Sequence, residues 1–260
     1  MMNDRFIQAI ERVRKNGKTV NGIGTYSEST LHAVLKNYYE PDPSRHELRL
    51  GKYVADIIGQ EGIIEIQTHQ LFRLKEKISN FLSVSRVSVV FPVIKDKYVV
   101  WSDAEAGKMS GKRKSTKHET VYTAVSELYP LREFILNPGF RFIVPIITAV
   151  DYKSFKRNKY GRKTDVHRLN CIPIDLIDEK FFICSDDYEY LIPADLPEIF
   201  TSADFAREAR ISKSSASNVL RLLYDAGVVV RTGKVGNAWK YSKKRISNQH
   251  RIIPLIQTFF

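Results

Sequence analysis

With 260 residues and 43% hydrophobic content, the chain is long enough to bury one sizeable core and a smaller second one, which excludes a disordered or fibrous protein. A formal net charge of +12, from 41 Lys+Arg against 29 Asp+Glu, points to a polyanionic partner, nucleic acid being the commonest; a merely soluble basic surface is the bland alternative. Cys171 and Cys184 lie far apart with no metal-ligand spacing, the N-terminus is charged and no apolar run reaches spanning length, so a cytoplasmic protein with no membrane partner is expected.

In chain order, residues 3–16 read as an amphipathic helix with Phe6, Ile10 and Val13 on one side. Ser27 reads as the N-cap of a second helix, through about Tyr39, ended by Pro41 and Pro43. Three extended runs follow, about 46–50, 53–58 and 63–67, then a helix over about 69–82 with Leu71, Leu74, Ile78 and Phe81 on one face. Val87–Val93 is a β-branched strand, with Tyr98–Ser102 as a hairpin partner. Residues 104–118, with Lys112, Arg113 and Lys114 and no apolar period, read as an exposed basic loop. A helix over 119–136, a strand over 140–150, a basic polar stretch from Lys153 to Arg168, and strands near 171–175 and 180–184 complete the first part; this middle region receives no chemistry.

The most informative segment runs from Lys52 to Gln67. Turning at Gln60-Glu61, it forms a hairpin that pairs 58 with 63, 57 with 64 and 56 with 65. Asp56 and Glu65 then project from one face with Cβ atoms about 4.5–5.5 Å apart, and Gln67 shares that face. Two carboxylates this close repel each other unless something positive lies between them, and a hard divalent cation is the simplest answer. A surface carboxylate pair without chemistry is the competing account.

An Asp on one strand followed by an apolar-flanked Glu-x-Gln on the next resembles the PD-(D/E)XK nucleases, a superfamily that includes restriction endonucleases and Holliday-junction resolvases. The resemblance covers about residues 27–93 and implies an α/β fold with a restriction-endonuclease-like core, ordered αβββαβ, its mixed central sheet flanked by helices. It further implies Asp56 and Glu65 as ligands of Mg²⁺ or Mn²⁺, the Ile66 carbonyl as a third, and phosphodiester hydrolysis by metal-activated water. Glu28 on the first core helix and Glu47 on the strand before Asp56 are the candidates for a further acidic position. Gln67 stands where Lys is usual in the family; Lys75 on the next helix is one replacement for that charge. His32 reads as a polar residue on a helix face rather than a ligand.

Pro193 and Pro197 mark a boundary between a nuclease-like part, 1–195 (core about 27–103, extension about 104–195), and a small unit, 196–245, followed by a tail, 246–260. Thr201-Ser-Ala-Asp204 resembles a capping box, Gly227 fits a helix C′ position, and two strands, about 228–231 and 238–241, follow. The whole looks like a winged helix-turn-helix with residues 213–226 as recognition helix. Lys213, Ser214, Asn218 and Arg221 on that helix, Lys234 at the wing tip and Lys240 are the expected duplex-DNA contacts, with Lys112, Arg113 and Lys114 added by the basic loop. A metal-dependent DNA endonuclease is the leading expectation. A non-catalytic DNA-binding adaptor on a nuclease-like fold and an RNA-directed nuclease are the alternatives. Dimers are frequent in the superfamily, but no interface is legible in this sequence.

Overall fold

The computed structural model describes residues 2–15, 29–103 and 107–244. Helix α1 (Met2–Lys15) and α2 (Thr30–Tyr39) precede three strands, β1 (His46–Leu50), β2 (Tyr53–Gly59) and β3 (Gly62–Ile66). A 3-10 turn, Leu71–Leu74, runs into α3 (Lys75–Leu82); β4 (Val87–Val90) and β5 (Val93–Asp103) follow. Two-residue strands β6 (Lys108–Met109) and β7 (Arg113–Lys114) lead to α4 (Val121–Leu128), which a second 3-10 segment, Tyr129–Phe134, extends. Strands β8 (Phe140–Arg157) and β9 (Lys163–Phe182) form a long antiparallel pair.

The result is a mixed α/β architecture: β1, β2 and β3 are antiparallel, β3, β4 and β8 are parallel, and helices cover both faces. One apolar cluster lies under α1 and α2, with Phe6, Leu31, Val34, Ile57 and Ile66. The other lies under α3 and α4, with Ile63, Ile78, Phe81, Val89 and Val125. Strand β8 carries β9 along one edge, while its other edge is shared by β4 over Phe140–Ile143 and by β5 from Ile146 onward.

The hairpin turns where only glycine fits. Gly62 has φ +119, and a Cβ there would lie 2.5 Å from the Arg86 carbonyl oxygen. That close approach lets the Ile63 amide donate to Arg86 O at 2.9 Å and locks β3 onto the start of β4.

Two expectations are corrected. Val93–Asp103 is no hairpin partner of the preceding strand: Pro92 interrupts the ladder, and the chain resumes along the same edge of β8, parallel to it. The basic stretch Lys153–Arg168 does not separate the strands expected at 140–150 and 171–175: it holds the far ends of β8 and β9 and the turn that joins them. Within 104–118 the described residues include β6 and β7, which pair with β5.

Beyond Pro197, β10 (Phe200–Thr201), α5 (Ser202–Glu208), α6 (Lys213–Asp225), β11 (Val229–Val235) and β12 (Ala238–Lys243) form a helical pair on a three-stranded sheet ordered β10-β12-β11. The Thr201 and Asp204 side chains cap α5 reciprocally, and Gly227 ends α6 at φ +74. Phe205, Val219, Leu222 and Leu223 pack in the same cluster as Leu128 and Leu131 of the body, so the boundary at Pro193 and Pro197 does not divide the hydrophobic core.

Candidate active site and nucleic-acid interface

In β2, Ala55 packs under α3 and α4 whereas Ile57 packs under α1 and α2, although residues two apart on a regular strand share a face. The strand changes face at Asp56. Across from it in register, between the pairs His46–Ile57 and Leu48–Ala55, Glu47 adopts a left-handed φ of +54. This double kink turns Asp56 toward the ends of both α2 and α3 instead of burying it under one.

The register Ile57–Ile64 and Ile58–Ile63 is the expected one. One step further the carboxylates themselves continue the ladder. The Asp56 amide donates to Glu65 Oε1 at 3.2 Å, and the Ile66 amide donates to Asp56 Oδ2 at 2.8 Å. Helix α2 contributes His32, whose Nε2 lies 3.1 Å from the Ile66 carbonyl oxygen and 3.4 Å from Asp56 Oδ2. A carbonyl can only accept, so Nε2 bears the proton. Helix α3 contributes Lys77, whose ammonium donates to Glu65 Oε2 at 2.5 Å.

The two acids are thereby driven apart in acidity. Burial pushes the Asp56 carboxyl up, but His32, the Ile66 amide and Lys77 outweigh it and hold it below the usual range. For Glu65, burial and then the Asp56 charge outweigh Lys77 and the Asp56 amide, raising it to about 7. Divergent acidities in adjacent carboxylates are a mark of functional pairs, although structural networks share it.

The donors are of the kind a hard divalent cation takes: the Asp56 carboxylate and the Ile66 carbonyl share His32 Nε2, and the Glu65 carboxylate lies on the Asp56 amide. Among the described residues no three His, Cys, Asp or Glu side chains are grouped to hold a metal. Gln67 is not part of this arrangement; its amide turns away to donate to the His69 carbonyl at 2.7 Å. Glu47 is 65% exposed and pairs with Lys36 at 2.7 Å, although it lines the same cleft. Glu28 lies outside the described residues, as does Ser27; the N-cap of α2 is Ser29. Lys75 pairs with Glu133, and the ammonium at Glu65 is that of Lys77. Lys77 was legible: it stands three residues after Leu74, on the stripe that continues through Ile78 and Phe81.

His32, Ile66 and Gln67 open into a cleft of about 490 Å³ whose far wall is Arg168 and Asn170 of β9. Asp151 holds the Arg168 guanidinium. Asn170 is buried and fixes the start of α2, its Nδ2 donating to Thr30 Oγ1 at 2.8 Å. Lys97 and Lys153 line an adjoining hollow that shares Arg168.

Of the expected nucleic-acid contacts, Lys213, Ser214 and Arg221 are exposed on one side of α6. Asn218 is turned inward, its amide donating to Ser126 Oγ of α4 at 3.3 Å, because α6 is packed on two sides. Lys234 is exposed with its ammonium 4.4 Å from the Trp239 ring, and Lys240 is half-buried. Arg231, which is not among those expected residues, has its guanidinium between Tyr224 at 4.4 Å and Trp239 at 4.5 Å. Lys112 caps the Tyr98 ring at 4.2 Å, Arg113 is exposed, and Lys114 pairs with Asp96 at 2.8 Å.

Residues 29–182, from the start of α2 to the end of β9, match a family described as "Domain of unknown function (DUF8091)". The chain belongs to that family. It is 27% identical over 228 residues to an "Uncharacterized protein" of Treponema pallidum (strain Nichols), an alignment covering 85% of this chain and 88% of that protein. No solved structure matches it. Among the described residues, no helix is long and apolar enough to cross a membrane.

Proposed function

We propose that this protein is a metal-dependent nuclease acting on DNA, with a PD-(D/E)XK-like centre at Asp56 and Glu65 and a C-terminal winged helix that holds duplex. The observation that carries the proposal is the linkage of both acids at the end of β3, Glu65 on the Asp56 amide and Asp56 on the Ile66 amide, with His32 and Lys77 brought to them from α2 and α3. The element order α2, β1, β2, β3, α3, β4 supports the restriction-endonuclease-like reading. The order β10, α5, α6, β11, β12 supports the winged-helix one.

Asp56, Glu65 and the Ile66 carbonyl would hold Mg²⁺ or Mn²⁺. Such an ion would polarise a phosphoryl oxygen and make bound water more acidic. Lys77 supplies the ammonium that Gln67 does not, beside Glu65 Oε2. The protonated Nε2 of His32 is a donor facing the cleft oxygens, and Arg168 across the cleft is placed for a neighbouring phosphate. Arg221, Arg231 and Lys234 offer charge for the duplex backbone.

The test is cleavage of supercoiled, linear duplex and single-stranded DNA, and of RNA, with Mg²⁺ or Mn²⁺. The wild type is expected to cut DNA, and Asp56→Asn and Glu65→Gln to bind without cutting. These substitutions keep an acceptor for the Ile66 and Asp56 amides, which alanine would strand. Contaminant-free protein that cuts no polymer with either metal overturns the proposal.

A second reading draws on a specific observation: both Glu65 oxygens already have partners, the Asp56 amide and Lys77. In a non-catalytic DNA-binding adaptor this network would be structural. Such a protein would bind DNA tightly and show no response to Mn²⁺ in calorimetry.

A further inference from the structure

The far ends of β5, β8 and β9, with β6 and β7, carry a concentration of cations that the carboxylate site does not use. A hollow of about 490 Å³ there is lined by Lys108, Arg113, Arg157 and Lys163 around Trp101 and Phe155. Among the described residues its lining holds one carboxylate, Asp103, which accepts from Arg157 Nε at 3.0 Å. Lys108, Arg113 and Lys163 have no ion-pair partner among the described residues.

What holds these cations is aromatic. Trp101 and Phe155 meet edge to face at 5.8 Å. The Lys163 ammonium lies 4.0 Å from the first ring and 4.4 Å from the second, and Arg157 lies 5.1 Å from Phe155. A ring face orients a cation through its quadrupole but brings no opposing charge. Four cations against one acid, partly pre-oriented, therefore leave the hollow strongly positive. With the Lys163 ammonium over Trp101, the charge outside it is better placed for an anion than the ring is for a stacked base.

We infer that this arm hollow binds the phosphodiester backbone of nucleic acid, as a second grip apart from the carboxylate cleft and the C-terminal unit. The inference rests on the nucleic-acid partner of the proposed function and not on its chemistry.

The experiment measures binding of a labelled 20-base-pair duplex and a 20-nucleotide single strand across a salt series. Asp56→Asn is present in every protein, so that cleavage plays no part. Arg113→Gln with Lys163→Gln, both at exposed positions, is compared with Arg12→Gln and Arg14→Gln on the exposed side of α1. The arm pair is expected to weaken binding of at least one polymer on the order of tenfold and to reduce the slope of log K against log salt by about two; the α1 pair leaves both nearly unchanged. Whichever polymer loses affinity is the form the arm grips. Unchanged affinity and slope in the arm pair, or an equal loss in the α1 pair, overturns the inference. Loss of cleavage alone bears on Asp56 and Glu65 and leaves the arm result standing.

Discussion

The carboxylate row and the basic arm lie in one sheet and manage charge in opposite ways. At the kink between β1, β2 and β3, each acid meets a basic side chain from a neighbouring helix: Glu47 with Lys36 and Asp56 with His32, both of α2, and Glu65 with Lys77 of α3. At the far end of β5, β8 and β9, aromatic rings hold cations without neutralising them. The first region is close to balanced and its groups are tuned in acidity, an arrangement suited to chemistry on a charged bond. The second keeps its charge outward, an arrangement suited to holding a polyanion. A protein with only the second feature would bind; having both is what argues for turnover.

The largest expected effect separates the two regions. Glu65→Gln should lower DNA cleavage by roughly a thousandfold or more while leaving the binding constant within about twofold, as gel-based turnover and anisotropy would report. If cleavage and binding fell together, the division of labour between row and arm would be wrong.

Next in size is a stability effect that tests whether the C-terminal unit belongs to the body. Phe205 is fully buried in the cluster that also contains Leu128. Phe205→Ala should cost about 3–5 kcal/mol. It should do so in a single denaturant transition reported equally by probes in both parts; two separated transitions would mean the shared cluster does not couple them.

The acidity of Glu65 gives a prediction with a definite sign. Its folded value, raised to about 7, exceeds the ordinary 4.5, so the folded state holds that proton more tightly. Stability should therefore fall as pH rises from about 4.5 to about 7, and Glu65→Gln should remove that slope. Asp56, held below its ordinary value, contributes stability above pH 3.8 that is lost only in stronger acid. Denaturant midpoints from pH 2 to 8 measure both. Replacing Lys77 by Gln removes a charge that lowers the Glu65 carboxyl, so the rate profile should shift to higher pH. A profile that drops without moving would make Lys77 structural.

The smallest effect is expected at Glu47. It is mostly exposed and turned onto Lys36, so Glu47→Gln should leave cleavage within about threefold in steady-state turnover. A loss as deep as that of Glu65→Gln would place Glu47 among the metal ligands.

Much of the site was legible because a β-hairpin with one register leaves little freedom. Gly59 and Gly62 fix the turn, so the pairing Ile57–Ile64 follows from the sequence. Gln67 lies outside the carboxylate arrangement because its side-chain amide is taken by the His69 carbonyl of the loop just past the end of β3. The arm was illegible for a related reason: from Lys163 to Arg168 β9 is exposed at each position, so no alternation marks it as a strand. Asn218 lies off the face formed by Ala216, Val219, Leu220 and Leu223, which by itself would leave it in solvent; fully buried Leu222 marks the second packed face that turns it inward.

The most direct measurement is anomalous diffraction from crystals soaked in Mn²⁺. The account predicts one peak within coordination distance of an Asp56 carboxylate oxygen, a Glu65 carboxylate oxygen and the Ile66 carbonyl, with the Lys77 ammonium or His32 Nε2 displaced from its present oxygen. Full-occupancy density for the Lys77 ammonium and the His32 ring on those oxygens, with no peak beside them, would contradict it.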